Sequence, residues 1–137
     1  MSASADLRFS KARRLLTAHD YKSVFDDAVL KVSCSQLLIL ARPNGLEGAR
    51  LGMVVAKRHI RLATRRNRLK RIVRESFRHA QARLACIDGI DGGIDSVVLA
   101  RAGADALDKR QLREHLDQLW SQLARKAQRR FATGQPC

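Results

Sequence analysis

Aromatic side chains are scarce in this sequence, at 4% of 137 residues. A sheet that stacks successive bases on aromatic rings is therefore a poor fit. Cysteine is thin as well. Cys34, Cys86 and Cys137 are three, odd in number and widely spaced, with no C-x-x-C, and His19, His59, His79 and His115 are scattered. That pattern excludes a disulfide framework and gives no zinc-ligand spacing, while lone thiols suit a reducing cytosol. Residues 1–10 lack the apolar block of a secretory signal, and the longest apolar run, Leu37 to Ala41, is far too short to span a bilayer. A soluble cytoplasmic protein with no membrane partner is expected. Catalytic motifs are missing too: there is no G-x-S-x-G, no H-E-x-x-H and no G-x-x-x-x-G-K-[ST]. The acids of Asp88 to Asp95 lack the terminal Glu of a calcium loop, so a plain connection is expected there. His59 lies in a basic stretch and has the chemistry of a general acid or base, but a surface contact is the stronger reading. Binding, with any chemistry carried by something else, is the function this inventory leaves.

What the chain has in excess is positive charge. The formal net charge is +14 and the isoelectric point about 11.2, the electrostatic footprint of a nucleic-acid binder. A hydrophobic content of 45% excludes a disordered basic tail, and the length suits one domain with a real core. The charge is concentrated from Lys57 to Arg78, which holds ten Lys or Arg and one acid, Glu75. From Leu69 on the same stretch carries a helical stripe: Leu69, Ile72, Val73, Ser76, Phe77, Ala80 and Leu84 recur at i, i+3, i+4, i+7. At about 100° per residue, Asn67, Arg71, Arg74 and Arg78 fall opposite that stripe, with Arg68 and Lys70 at its edges. A merely solvated face would mix signs in i, i+4 pairs. This one repels itself unless it meets a polyanion, and nucleic acid is favoured over solvent or membrane.

The rest of the chain reads in order as follows. Residues 1–13 form a basic arm, 14–130 a single domain and 131–137 a disordered tail. Thr17 caps a first helix, Asp20 sits in its first turn, Leu16 and Tyr21 form a hydrophobic staple, and Tyr21, Val24, Phe25 and Ala28 share one face. The periodicity makes Tyr21 and Phe25 core or core-edge residues, with a ligand-facing role the minority reading. Val29 to Ser33 is a weak strand, Gln36 to Arg42 a buried one, and Arg50 to Lys57 a third, together suited to a hairpin or meander. Thr64 caps a long helix from about Arg65 to Leu84. Ser96 to Arg101 is a further buried strand. Asp108, with Gln111 at the N3 place, caps a last helix whose stripe is Leu112, Leu116, Leu119, Trp120, Leu123 and Ala127. The basic cluster Arg125, Lys126, Arg129 and Arg130 at its end is open between a solvated tail and an auxiliary phosphate contact. The order α-β-β-β-α-β-α predicts a single-domain α+β sandwich with a four-stranded central sheet.

The run Arg66-Asn67-Arg68-x-Lys70-Arg71, with Arg74 one turn on, resembles the RNR motif of the bacterial ribonuclease P protein subunit. The match extends to Ala56-Lys57-Arg58 upstream, Glu75-Ser76-Phe77-Arg78 downstream, Arg14-Leu15-Leu16-Thr17 with Tyr21 and Phe25, and Leu107 to Leu112 with Leu119-Trp120. It covers about residues 8 to 125. The resemblance implies a protein, monomeric in a 1:1 complex, that binds the ribonuclease P catalytic RNA. It implies that the pair removes the 5′ leader of precursor tRNA, with magnesium held mainly by the RNA. On this basis Lys57, Arg58, Arg65, Arg66, Asn67, Arg68, Lys70, Arg71 and Arg74 are the expected RNA-binding residues, and Tyr21 and Phe25 the wall of a leader cleft. Two departures from the family stand out. The strand Leu37 to Leu40 is all aliphatic where some members carry a cleft-facing aromatic, and Tyr21 stands where many have Phe. The alternative is a non-enzymatic RNA-binding module of ribosomal type; a protein nuclease acting alone lacks a clustered Glu, Asp and His set.

Overall fold

A computed structural model describes residues 18–45, 48–85 and 92–132. The chain forms α1 (Ala18–Asp26), β1 (Leu30–Ser33), β2 (Leu37–Pro43), β3 (Arg50–Val54), α2 (Ala63–Ala85), β4 (Ile94–Ala100) and α3 (Lys109–Ala127). A short 3₁₀ turn (Ala104–Ala106) leads into α3, and a π turn (Gln128–Ala132) continues it. The expected arm, Thr17 cap and Leu16 staple, and most of the expected tail, lie outside the described residues.

The sheet runs β1-β2-β4-β3. β1, β2 and β4 are antiparallel neighbours, whereas β3 lies parallel to β4 and does not touch β2. The meander expected for the first three strands thus stops after one hairpin. A parallel neighbour needs a long crossover, and α2 supplies it between β3 and β4. β4, now central, is buried on both faces. β2 alternates instead: Leu37, Ile39 and Ala41 are buried, Leu38 and Leu40 only partly so. β3 ends at Val54, three residues short of expectation, because a turn follows in which His59 and Ile60 donate to the Ala56 carbonyl.

One face of the sheet carries α2 and α3. The stripe on α2 is buried in full, from Leu69 to Leu84, and packs on Leu112, Leu116, Leu119, Trp120 and Leu123 of α3. Phe77 meets Trp120 edge to face with centroids 5.7 Å apart, a geometry aromatic quadrupoles favour. α2 begins at Ala63, so Thr64 lies inside it and is not its cap. Asp108 does cap α3: its side chain accepts from the Gln111 N–H while Gln111 Oε1 accepts from the Asp108 N–H. The contacts Arg68–Leu107, Ser76–Asp117 and Arg83–Ser121 show that α2 and α3 run in the same direction.

The other face carries α1 alone. α1 lies across the strands over the row Arg42, Asp95 and Arg50. Arg50 grips Asp95 through Nε at 2.8 Å and Nη2 at 2.7 Å, and reaches Asp20 of α1 at 3.7 Å. Asn44 Nδ2 also donates to Asp95, at 2.8 Å. That carboxylate is only 3% exposed, and its hydrogen bond to Arg50 raises the guanidinium's pKa further. Arg42 Nη1 reaches the Ser23 carbonyl and Asp27 at the other end of α1. Beside this cluster Gly93 passes against Gly48, and any Cβ at Gly93 would collide with the Gly48 backbone.

Candidate nucleic-acid interface

The basic stretch enters the structure at a pinned turn. Ile60 is buried and anchors the segment, leaving Lys57, Arg58, Arg61 and Leu62 exposed. Leu62 is 63% exposed, an apolar side chain standing among cations. Arg58 Nε lies 3.4 Å from His59 Nε2.

The first turns of α2 divide the arginines into two groups. Arg65 is held by Asp105, with Nε 2.5 Å from Oδ1 and Nη2 2.7 Å from the carbonyl. Arg66 Nη1 donates to the carbonyls of Ile60 and Arg61, at 3.0 and 2.9 Å, closing the turn that precedes the helix. Arg68 Nη2 donates to the Leu107 carbonyl at 3.0 Å, and its Nε is buried. Arg65 and Arg68 brace the junction of α2 with the 3₁₀ turn and the approach to α3, while Arg66 braces the turn before α2. Arg66 and Arg68 thus make contacts within the fold besides carrying charge. The partners are mostly backbone carbonyls, which no residue pattern announces. Lys57, Arg61, Lys70, Arg71 and Arg74 form no side-chain hydrogen bond or ion pair among the described residues, and Asn67 is exposed. Glu75, the one acid of the stretch, accepts from Arg78 and pairs with His79. The His79 hydrogen bond, with smaller help from Arg78, holds its carboxyl below the usual range.

The α1 face holds a second feature. α1 covers one end of the sheet and leaves the other open. The row Lys31, Leu40, Val97 and Gly52 lies partly under α1, and the next row, Ser33, Leu38, Leu99 and Val54, borders the open end. Val24 packs on Val97 as a small separate cluster, with Tyr21, Leu40, Val54 and Leu99 only partly buried around it. Tyr21 forms one wall. Its hydroxyl accepts from the Met53 N–H of edge strand β3 at 3.1 Å, which fixes the ring over the sheet. Phe25, one turn on, is 43% exposed. Tyr21 thus sits at a core edge, while Phe25 is exposed and packs on neither hydrophobic cluster. The floor is aliphatic, as the sequence of β2 indicated. Val54 and Leu99 complete it, and since neither β3 nor β4 alternates, no pattern within those strands marked them; Arg61 was visible only as part of the charge run.

The geometry defines a class: a single-domain α+β protein with a cationic helix on one face of its sheet and a partly open apolar surface on the other, a form suited to a polyanion. The Ribonuclease P family model matches residues 9–124. The ribonuclease P protein component of Pseudomonas putida (strain GB-1) is 46% identical over 117 residues, covering 85% of this chain and 82% of that protein. The RNase P protein of Thermotoga maritima, solved in complex with 1-(4-fluorophenyl)-2-thiourea, superposes with a TM-score of 0.66 at 33% identity. It covers 82% of this chain and 98% of that one. The Staphylococcus aureus RNase P protein reaches a TM-score of 0.70 at 24% identity over 81% of this chain and 94% of that one, and supports the fold. The chain belongs to the ribonuclease P protein family and is the protein subunit of that ribonucleoprotein endoribonuclease, working with the ribonuclease P RNA. Family membership decides against the ribosomal-type alternative. No helix among the described residues is long and apolar enough to cross a membrane.

Proposed function

We propose that the two features divide the work of tRNA 5′ maturation. The unpaired cations Lys57, Arg61, Lys70, Arg71 and Arg74, with Arg58 and Asn67, take phosphates of the catalytic RNA. Arg65, Arg66 and Arg68 hold that surface in shape while keeping their charge. The open sheet face takes the 5′ leader of precursor tRNA, with Tyr21 and Phe25 against the bases. The observation that carries this reading is the group of cations, Lys57, Arg61, Lys70, Arg71 and Arg74, without side-chain partners among the described residues. Such a cluster is self-repelling alone and is relieved by a phosphate backbone, whose counterions it displaces. Among the described residues, Asp95 is engaged by Arg50 and Asn44, Asp105 by Arg65, and Asp117 by Ser76 and Arg113. Magnesium is read as held mainly by the RNA. The complex is read as one protein per RNA, in the cytoplasm.

The test is cleavage of a precursor tRNA by the catalytic RNA at physiological magnesium, with and without this protein. The protein should raise the cleavage rate and should cut nothing alone. Cleavage by the protein alone, or a rate indifferent to it, contradicts the reading.

A further inference from the structure

The basic residues at the end of α3 are not a loose tail. An open groove of about 570 Å³ lies between them and the start of β1, lined by Val29, Leu30, Lys31, Lys126, Arg129 and Arg130. Four of those six side chains are cationic and none is acidic. Lys126 Nζ donates to the Lys31 carbonyl at 2.8 Å, so the end of α3 is tied to the outer edge of the sheet. The π turn then carries Arg129 and Arg130, both exposed, with the Arg130 guanidinium 5.9 Å from the Phe131 ring centre. Charges at a helix C-terminus complement its dipole, and a lysine protects an edge strand from pairing. Those two roles account for Arg125 and Lys126. The edge-strand role extends to Lys31 on β1, but neither role explains why Lys31, on a separate element, lines the same groove as Arg129 and Arg130.

The position of Lys31 gives the groove its use. Lys31 is exposed at the β1 end of the row Lys31, Leu40, Val97, Gly52, which runs beside the open part of this face. α1 crosses the strands, from its Tyr21 contact on β3 to its Arg42 contacts on β2, so a strand lying beside it crosses them too. The sheet is about 14 Å between its outer strands at about 4.8 Å spacing, enough for only a few nucleotides. A longer strand leaves the face at the β1 edge, where the groove begins. The RNR end of α2 lies at the opposite end of α3, whose 19 residues span about 28 Å at about 1.5 Å per residue. One RNA segment held there does not extend to this groove without crossing the domain.

We propose that Lys31, Arg129 and Arg130 form a phosphate-binding extension of the leader cleft, which holds the leader nucleotides farthest from the cleavage site. This rests on the leader reading above. The ligand is a single-stranded RNA backbone, bound without base readout, so affinity depends on leader length and not on sequence. The test uses Lys31→Ala with Arg129→Ala and Arg130→Ala; Lys126 stays, because it caps the strand edge. The assembled complex is titrated with mature tRNA and with precursors carrying leaders of about three and about twelve nucleotides, the longer within the range of single-strand grooves. For the long leader, the triple variant should lose about tenfold in affinity, and its log–log salt slope should fall by about 2, at roughly 0.7 per phosphate contact. Short-leader and mature tRNA should bind as before. Equal losses for all three RNAs, weakened assembly with the catalytic RNA, or no loss for the long leader would each overturn the extension. A wild-type complex that binds long-leader precursor no better than mature tRNA would overturn the cleft reading as well.

Discussion

The two faces of the sheet are finished differently. On one, α2 and α3, of 23 and 19 residues, bury Leu37, Ile39, Leu51, Ile94 and Val98 together with their own stripes. On the other, the nine residues of α1 cover one end, and among the described hydrophobic side chains there only Val24 and Val97 are fully buried. A helix of nine residues is about 14 Å long at about 1.5 Å per residue and cannot roof a four-stranded sheet. Stability is concentrated on the first face, which leaves the second free to bind. The sharpest way to break the comparison is a matched pair of truncations. Phe77→Ala, at the centre of the closed face, should cost about 3–5 kcal/mol. Leu38→Ala, on the open face, should cost under about 1 kcal/mol, since burying a whole Leu is worth only about 1.5–3 and Leu38 is half-buried. Urea unfolding measures both, and equal costs would erase the distinction.

The basic region holds a similar contrast within one helix. Arg68→Ala should destabilise by about 1–3 kcal/mol, because the Leu107 carbonyl loses its donor where α2 meets α3. Arg71→Ala with Arg74→Ala should leave unfolding within about 0.5 kcal/mol of wild type each, as surface changes do. It should nonetheless lower the salt slope for binding the catalytic RNA by about 1.4, at roughly 0.7 per contact. A double variant that unfolds early, or a slope that does not move, would show that braces and contacts are misassigned.

The smallest effect belongs to Glu75. Its folded-state pKa is depressed, first by the His79 hydrogen bond, so its stabilisation is present above the unfolded carboxylate value of about 4.3 and is lost as pH falls through the lower folded value. The group is 43% exposed, and the contribution should stay within about 0.5 kcal/mol. Glu75→Gln should flatten the stability profile below about pH 4 by that small amount; a profile superposing on wild type would remove Glu75 from the acid response.

How legible all this was depends on the range of each interaction. The buried stripe of α2, the stripe of α3 and the Asp108 capping box are local and periodic, and each stands where the residues place it. The parallel pairing of β3 with β4 joins segments some forty residues apart, and nothing within either strand encodes it. The ties of Arg66 and Arg68 end on carbonyls, which every residue carries alike. Periodicity alone made Tyr21 and Phe25 core-edge residues, while the resemblance supplied the cleft. Tyr21, half-buried, meets the first expectation and Phe25, exposed, does not; the Tyr21–Met53 bond was visible to neither.

The central claim is that the open face serves the leader while the helix start serves the catalytic RNA. The most direct test is the affinity of the assembled complex for precursor and mature tRNA with Tyr21→Ala and Tyr21→Phe. Tyr21→Ala should weaken precursor binding by about 5- to 150-fold, the worth of one aromatic–base stack at about 1–3 kcal/mol, and leave mature tRNA and assembly with the catalytic RNA unchanged. Tyr21→Phe keeps the ring and gives up one hydrogen bond to Met53, so it should stay near wild type. Equal losses for precursor and mature tRNA, or no loss for either, would contradict the account.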